Sequence, residues 1–99
     1  MSARIQIDRE RVAEFCRRHE VRRLALFGSV LRDDFRPDSD VDVLVEFAPD
    51  ARAGLFEMAR MESELTELIG RRVDLRTPAE LSRYFRDEVV AGAETQYAA

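Results

Sequence analysis

The sequence has no lysine. All sixteen basic side chains among its 99 residues are arginine, which excludes Schiff-base chemistry and the phosphate-gripping lysine of a P-loop. The single histidine, His19, leaves no multi-histidine metal centre. The single cysteine, Cys16, leaves neither an internal disulfide nor a cysteine-based zinc site, and fits a reducing compartment. No apolar run approaches the roughly 20 residues of a membrane span. The opening Met1-Ser2-Ala3-Arg4 lacks the apolar stretch of a secretory signal, so the cytoplasm is the expected address, with no membrane partner. A net charge of −4 argues against a broad basic face, and direct nucleic-acid binding is not expected. Chemistry is left to carboxylates, hydroxyls and guanidinium groups.

What is present is ordinary for a globular protein: 45% hydrophobic and 36% charged residues. A chain of this length can bury one continuous core, so residues 1–99 are expected to form a single domain. Asp8 is placed to cap a helix whose apolar positions Val12, Phe15, Cys16 and His19 recur at helical spacing. Cys16 therefore reads as a packing residue, and His19 as a structural residue at the helix end. Arg22 to Phe27 contains the apolar run Leu24-Ala25-Leu26-Phe27, a mostly buried strand that stops at Gly28-Ser29. A brief helical turn is expected over Val30 to Asp33, then a loop from Asp34 to Ser39 around Pro37.

The clearest pattern is Asp40 to Phe47. Val41, Val43, Val45 and Phe47 alternate onto one face, expected in the core, with Asp40, Asp42, Leu44 and Glu46 on the other. After a loop around Pro49 and Gly54, Leu55, Met58, Met61, Leu65, Leu68 and Ile69 form a helical stripe that Gly70 terminates. Arg72 to Arg76 alternates again, which puts Asp74 on a sheet face with the other two aspartates. Thr77-Pro78-Ala79-Glu80 reads as a capping box, followed by one or two short helices to about Gly92. The end, Thr95-Gln96-Tyr97-Ala98-Ala99, carries little pattern, and the sequence does not decide whether Tyr84, Phe85 and Tyr97 are core anchors or a partner surface.

Residues two apart on a strand point the same way, so Asp40 and Asp42 are spaced about 6 to 7 Å at their backbones. They repel each other, and Asp74 adds to the cost, unless cations offset it. Magnesium with substrate phosphates is the usual compensation. Two ions about 3.5 to 4 Å apart can serve both the attacking and the leaving oxygen of an in-line displacement. Gly28 lets backbone approach a ligand, Ser29 offers a hydroxyl and an amide to phosphate, and Arg32, about one turn later, can add charge or simply pair with Asp33, Asp34 or Asp38.

Gly28-Ser29, then Ser39-Asp40-Val41-Asp42 on one strand and Asp74 on another, together resemble the DNA polymerase β-like nucleotidyltransferase superfamily. More narrowly, Leu26-Phe27-Gly28-Ser29-Val30-Leu31-Arg32, the run from Asp38 to Phe47, and Gly70-Arg71-Arg72-Val73-Asp74-Leu75 look like the minimal nucleotidyltransferases, the MntA-type antitoxins. The likeness continues through Thr77-Pro78 and Tyr84 to Val89. It implies an α+β fold, an α/β sandwich in which a small mixed β-sheet carries helices on one face. It further implies that Gly28 and Ser29 bind the triphosphate of ATP, next to the candidate Arg32 read from its position alone, and that Asp40, Asp42 and Asp74 are catalytic and hold two Mg2+ ions. Asp33 stands where many relatives have glycine and adds negative charge near the phosphate turn.

The same resemblance implies an antitoxin that attaches AMP to a tyrosine of a HEPN-domain ribonuclease toxin and assembles with it as a hetero-oligomer. Larger members of the superfamily use a further domain to hold the acceptor, so a separate partner is expected to present it here. One rival is a non-catalytic antitoxin that neutralises its toxin by binding alone. Another is a nucleotidyltransferase acting on a small molecule or RNA, made less favourable by the missing second domain and basic face.

Overall fold

A computed structural model describes residues 5–32, 35–51 and 53–99 of the chain. The opening Met1-Ser2-Ala3-Arg4, and Asp33 and Asp34 of the expected turn and loop, lie outside the described residues. Asp8 caps the first helix, α1 (Arg9–Arg18), its carboxylate accepting from the N–H groups of Glu10 and Arg11 at 3.1 and 3.2 Å. Val12, Phe15 and Cys16 form its buried stripe. The chain then runs as β1 (Val21–Phe27), a 3₁₀ turn (Gly28–Leu31) and β2 (Val41–Phe47). Helix α2 (Leu55–Ile69) ends on Gly70, whose φ of +80° is the left-handed cap that glycine adopts without strain. Strand β3 (Val73–Arg76), a short turn (Pro78–Glu80), α3 (Arg86–Gly92) and β4 (Glu94–Ala98) complete the order.

The four strands lie in the order β3-β2-β1-β4. β1 pairs antiparallel with β2 and β4, whereas β2 and β3 run parallel, joined by α2 as the crossover. One face carries Leu24, Leu26, Val41, Val43, Val45, Val73 and Leu75 against Val12, Phe15 and Cys16 of α1 and Met61 and Leu65 of α2. Each fully buried aliphatic or aromatic side chain there contributes about 1.5–3 kcal/mol by leaving water. This is the small mixed sheet with helices packed against it that the resemblance implies, α1 and α2 lying on this face, and among the described residues no helix is long and apolar enough to cross a membrane. The opposite face bears Ala25, Phe27, Asp42, Leu44, Asp74 and Arg76, from the register of the pairs. Ala25 and Leu44 are buried on it as well. Arg23 ties α3 to it by donating to the carbonyls of Val90 and Ala93 at 3.3 Å each.

Several local expectations change. The turn after β1 begins at Gly28, two residues early, because its φ of +76° reverses the chain there. Glu80 does reach back to the Thr77 N–H at 2.9 Å, but the box starts a three-residue 3₁₀ turn rather than a helix, and α3 begins only at Arg86. The weakly patterned end is an edge strand: β4 satisfies the free edge of β1, and Tyr97 packs on the core. Tyr84 is fully on the surface and Phe85 half-exposed.

Candidate active site

Three strands bring the candidate residues to one end of the second face. Asp42 lies opposite Phe27 of β1 on one side and opposite Asp74 of β3 on the other. Parallel partners in register point their side chains the same way, so the two carboxylates stand side by side. Asp40, just ahead of β2, is close enough to act on Asp42 electrostatically. Burial, then the charge of Asp74, then that of Asp40, pushes the Asp42 carboxyl above its ordinary value, while Arg32 and Arg76 pull it back in part. Arg76 forks onto Asp74, with guanidinium-to-carboxylate distances of 3.1 and 3.4 Å.

Gly28 closes over this cluster. A Cβ on it would lie 3.1 Å from the Asp42 Cγ and closer still to a carboxylate oxygen, so the residue has to be glycine both for its φ and for this approach. The absent side chain is what lets the turn close directly onto the Asp42 carboxylate. Ser29 follows, half-buried, its carbonyl accepting from the Arg32 N–H at 2.9 Å. Arg32 is exposed at the end of the turn and within electrostatic reach of Asp42.

The donors of this site suit a hard divalent cation, because carboxylate oxygens are the ligands Mg2+ prefers. Among the described residues no three His, Cys, Asp or Glu side chains form a ready-made metal cage. Mg2+ does not ask for one: it is commonly held by one or two carboxylates, water and the phosphates of its substrate. Asp42 and Asp74 in register, beside a Gly28 turn that also lines an open cavity, fit that mode of binding.

The residues that position the site were not legible in advance. The N–H of Val73 donates to the Thr66 Oγ1 at 3.1 Å and that of Leu75 to the Glu62 carboxylate at 2.8 Å, so α2 satisfies the outer edge of β3 on both sides of Asp74. Arg71 holds the approach to Asp40, donating to the carbonyls of Arg36 and Ser39 at 2.6 and 3.3 Å and stacking 4.4 Å from the Phe35 ring centroid. Both depend on contacts remote in sequence. The Glu62 and Thr66 spacing of one helical turn was visible, but not what it would face.

A family described as the nucleotidyltransferase domain matches residues 9–94 of this chain. The chain is 33% identical over 73 residues to MJ0435 of Methanocaldococcus jannaschii, provisionally named a protein adenylyltransferase, covering 74% of this chain and 76% of that one. Its fold superposes on a solved structure provisionally described as a minimal nucleotidyltransferase, with a TM-score of 0.70 and 39% identity over 86% of this chain and 85% of that one. It also superposes on a chain from the complex of a tri-AMPylated Shewanella oneidensis HEPN toxin with its MNT antitoxin. There the TM-score is 0.66 and the identity 18%, over 92% of this chain and 70% of that one, a likeness of fold.

Proposed function

This chain belongs to the nucleotidyltransferase domain family, among its minimal, polymerase β-like members, and from that premise we propose that it transfers AMP from ATP to a tyrosine of a HEPN toxin and thereby silences it. The observation that carries the reading is the register of Asp42 against Asp74 beneath the Gly28 turn, which closes directly onto the Asp42 carboxylate. An accumulation of like charge is costly for folding, and cations brought in with a phosphorylated substrate offset that cost. The toxin enters as partner through the similarity to the antitoxin complex, and AMP through the adenylyltransferase name of the archaeal relative.

In this proposal Gly28 admits the triphosphate close to the backbone, Ser29 offers its hydroxyl and amide to the phosphate oxygens, and Arg32 adds positive charge. Asp40, Asp42 and Asp74 would hold two Mg2+ ions with the phosphates. When bound, such ions stabilise charge on the phosphoryl oxygens and make the attacking hydroxyl more acidic. The tyrosine oxygen forms a bond to the α-phosphorus as the α–β anhydride bond breaks, and pyrophosphate leaves. The phenolic proton passes to the Asp74 carboxylate, which is partly open to solvent on the sheet face, and from there to water.

The test is incubation with Mg2+, α-labelled ATP and the cognate toxin, followed by intact mass of both proteins. An AMP-sized increment on the toxin, absent with EDTA, is the expected result. No increment, together with a D40A/D42A double variant that still silences the toxin, would replace this reading with neutralisation by binding alone.

A further inference from the structure

A cavity of about 710 Å³ opens between the Gly28–Leu31 turn and α3, within the size range of small-ligand sites. Gly28, Leu31 and Arg32 line one side, Phe85 and Val89 of the α3 segment another, and Glu94 borders it at the start of β4. Gly28 belongs to two places at once: it faces the Asp42 carboxylate and forms part of the cavity wall. Whatever fills the cavity therefore adjoins the proposed phosphate site.

Glu94 is the odd member of that wall. Its Oε2 atom is shut off from solvent and has no hydrogen-bond partner among the described residues. A carboxylate can only accept, and a buried acceptor without a donor carries a standing desolvation cost. Glu94 borders the cavity and the terminal torsion of a glutamate is soft, so rotation of the carboxylate is the movement by which that oxygen would meet a donor bound there. Leu31, Val89 and the half-exposed Phe85 ring give the cavity apolar and aromatic wall, with Arg32 and Glu88 the other charged residues that border it. Such walls suit the flat face of a nucleobase, by stacking and burial, better than the hydroxyl-covered surface of a sugar.

We propose that this cavity receives the base of the donor nucleotide and that Glu94 selects it, accepting a hydrogen bond from an exocyclic amino group on the base. The inference rests on the nucleotidyltransferase reading above and adds to it a determinant of base preference. A base with a carbonyl at that position would set oxygen against oxygen and be rejected, and a base with hydrogen there would leave Glu94 unsatisfied.

The test is calorimetric binding, with Mg2+ present, of two non-hydrolysable triphosphates that differ in one group: the adenosine analogue and its purine riboside counterpart lacking the 6-amine. A hydrogen bond to a charged acceptor predicts that the wild-type chain binds the amine-bearing compound roughly 10- to 100-fold tighter. The Glu94→Ala variant should bring the two affinities towards parity with little change for the amine-free compound. Glu94→Met, which keeps the length of the side chain but offers no comparable acceptor, should show the same collapse if the alanine variant proves unstable. A wild-type chain that binds both compounds equally, or a variant that keeps the preference, overturns the role of Glu94 while leaving the nucleotide site intact. Failure of both triphosphates to bind would overturn the AMP-transfer reading proposed above, and this inference with it.

Discussion

Two acidic clusters in this molecule are built in opposite ways. Between α1 and α2, His19 stands between Glu57 and Glu64 with both ring nitrogens 3.1 Å from a carboxylate oxygen, and Arg18 also pairs with Glu64. Basic side chains are part of the fold there, and the hydrogen bond from Arg18 holds the Glu64 carboxyl below its ordinary value. At the end of the sheet, Asp42 meets the charges of Asp74 and Asp40 with Arg32 and Arg76 only partly compensating, and its carboxyl is pushed up. Similar side chains thus give a clasp in one place and an unbalanced site in the other. Local charge left uncompensated by the fold is where an added cation or ligand has most to contribute.

If that contrast is right, the largest effect belongs to the unbalanced cluster. Asp42→Ala should lower the rate of AMP transfer by at least about two to three orders of magnitude, since the metal ions supply much of the charge stabilisation on which such a transfer depends. Measured by the rate of label incorporation into the toxin, a loss of less than about tenfold would remove Asp42 from the machinery. Gly28→Ala comes next. The left-handed backbone alone costs a non-glycine residue about 1–2 kcal/mol, and the new methyl group would collide with the Asp42 carboxylate. The expected outcome is a lower melting temperature together with weakened triphosphate binding, whereas the same substitution at Gly54, with open space around it, should disturb neither site.

How far this contrast was legible in the sequence differs between the clusters as well. The period-2 alternation of Asp40 to Phe47 gives the core face of β2, and the shorter alternation around Asp74 places a third carboxylate on the same side; the parallel register bears out that shared face. Strand patterns are readable because their information is local. The His19 clasp could not be read, because Glu57 and Glu64 lie 38 and 45 residues away on another helix. The same limit hid β4. Thr95, Gln96 and Ala98 carry no strand signal of their own, and they are ordered by the open edge of β1. It hid Glu62 and Thr66 too, whose role appears only once β3 lies beside α2.

The smallest effects are the most diagnostic, because the two clusters should respond to pH with opposite signs. A carboxyl raised on folding binds its proton more tightly in the native state, so its contribution favours the fold in acid and is lost as pH rises through the raised value. Asp42→Asn should therefore raise the metal-free melting temperature at neutral pH, with the gain shrinking towards acid, even as transfer is abolished. A carboxyl lowered on folding does the reverse: its stabilisation is present above the ordinary carboxylate range and disappears as pH falls through the lowered value. Glu64→Gln should lower the melting temperature at neutral pH, by no more than a few degrees because Arg18 and Glu64 are partly solvated and screened. That deficit should close on acidification. Melting curves of the two variants against the parent chain, with EDTA, from neutral pH down through the carboxylate range give both slopes; parallel slopes of one sign would mean that the clusters are not built differently after all.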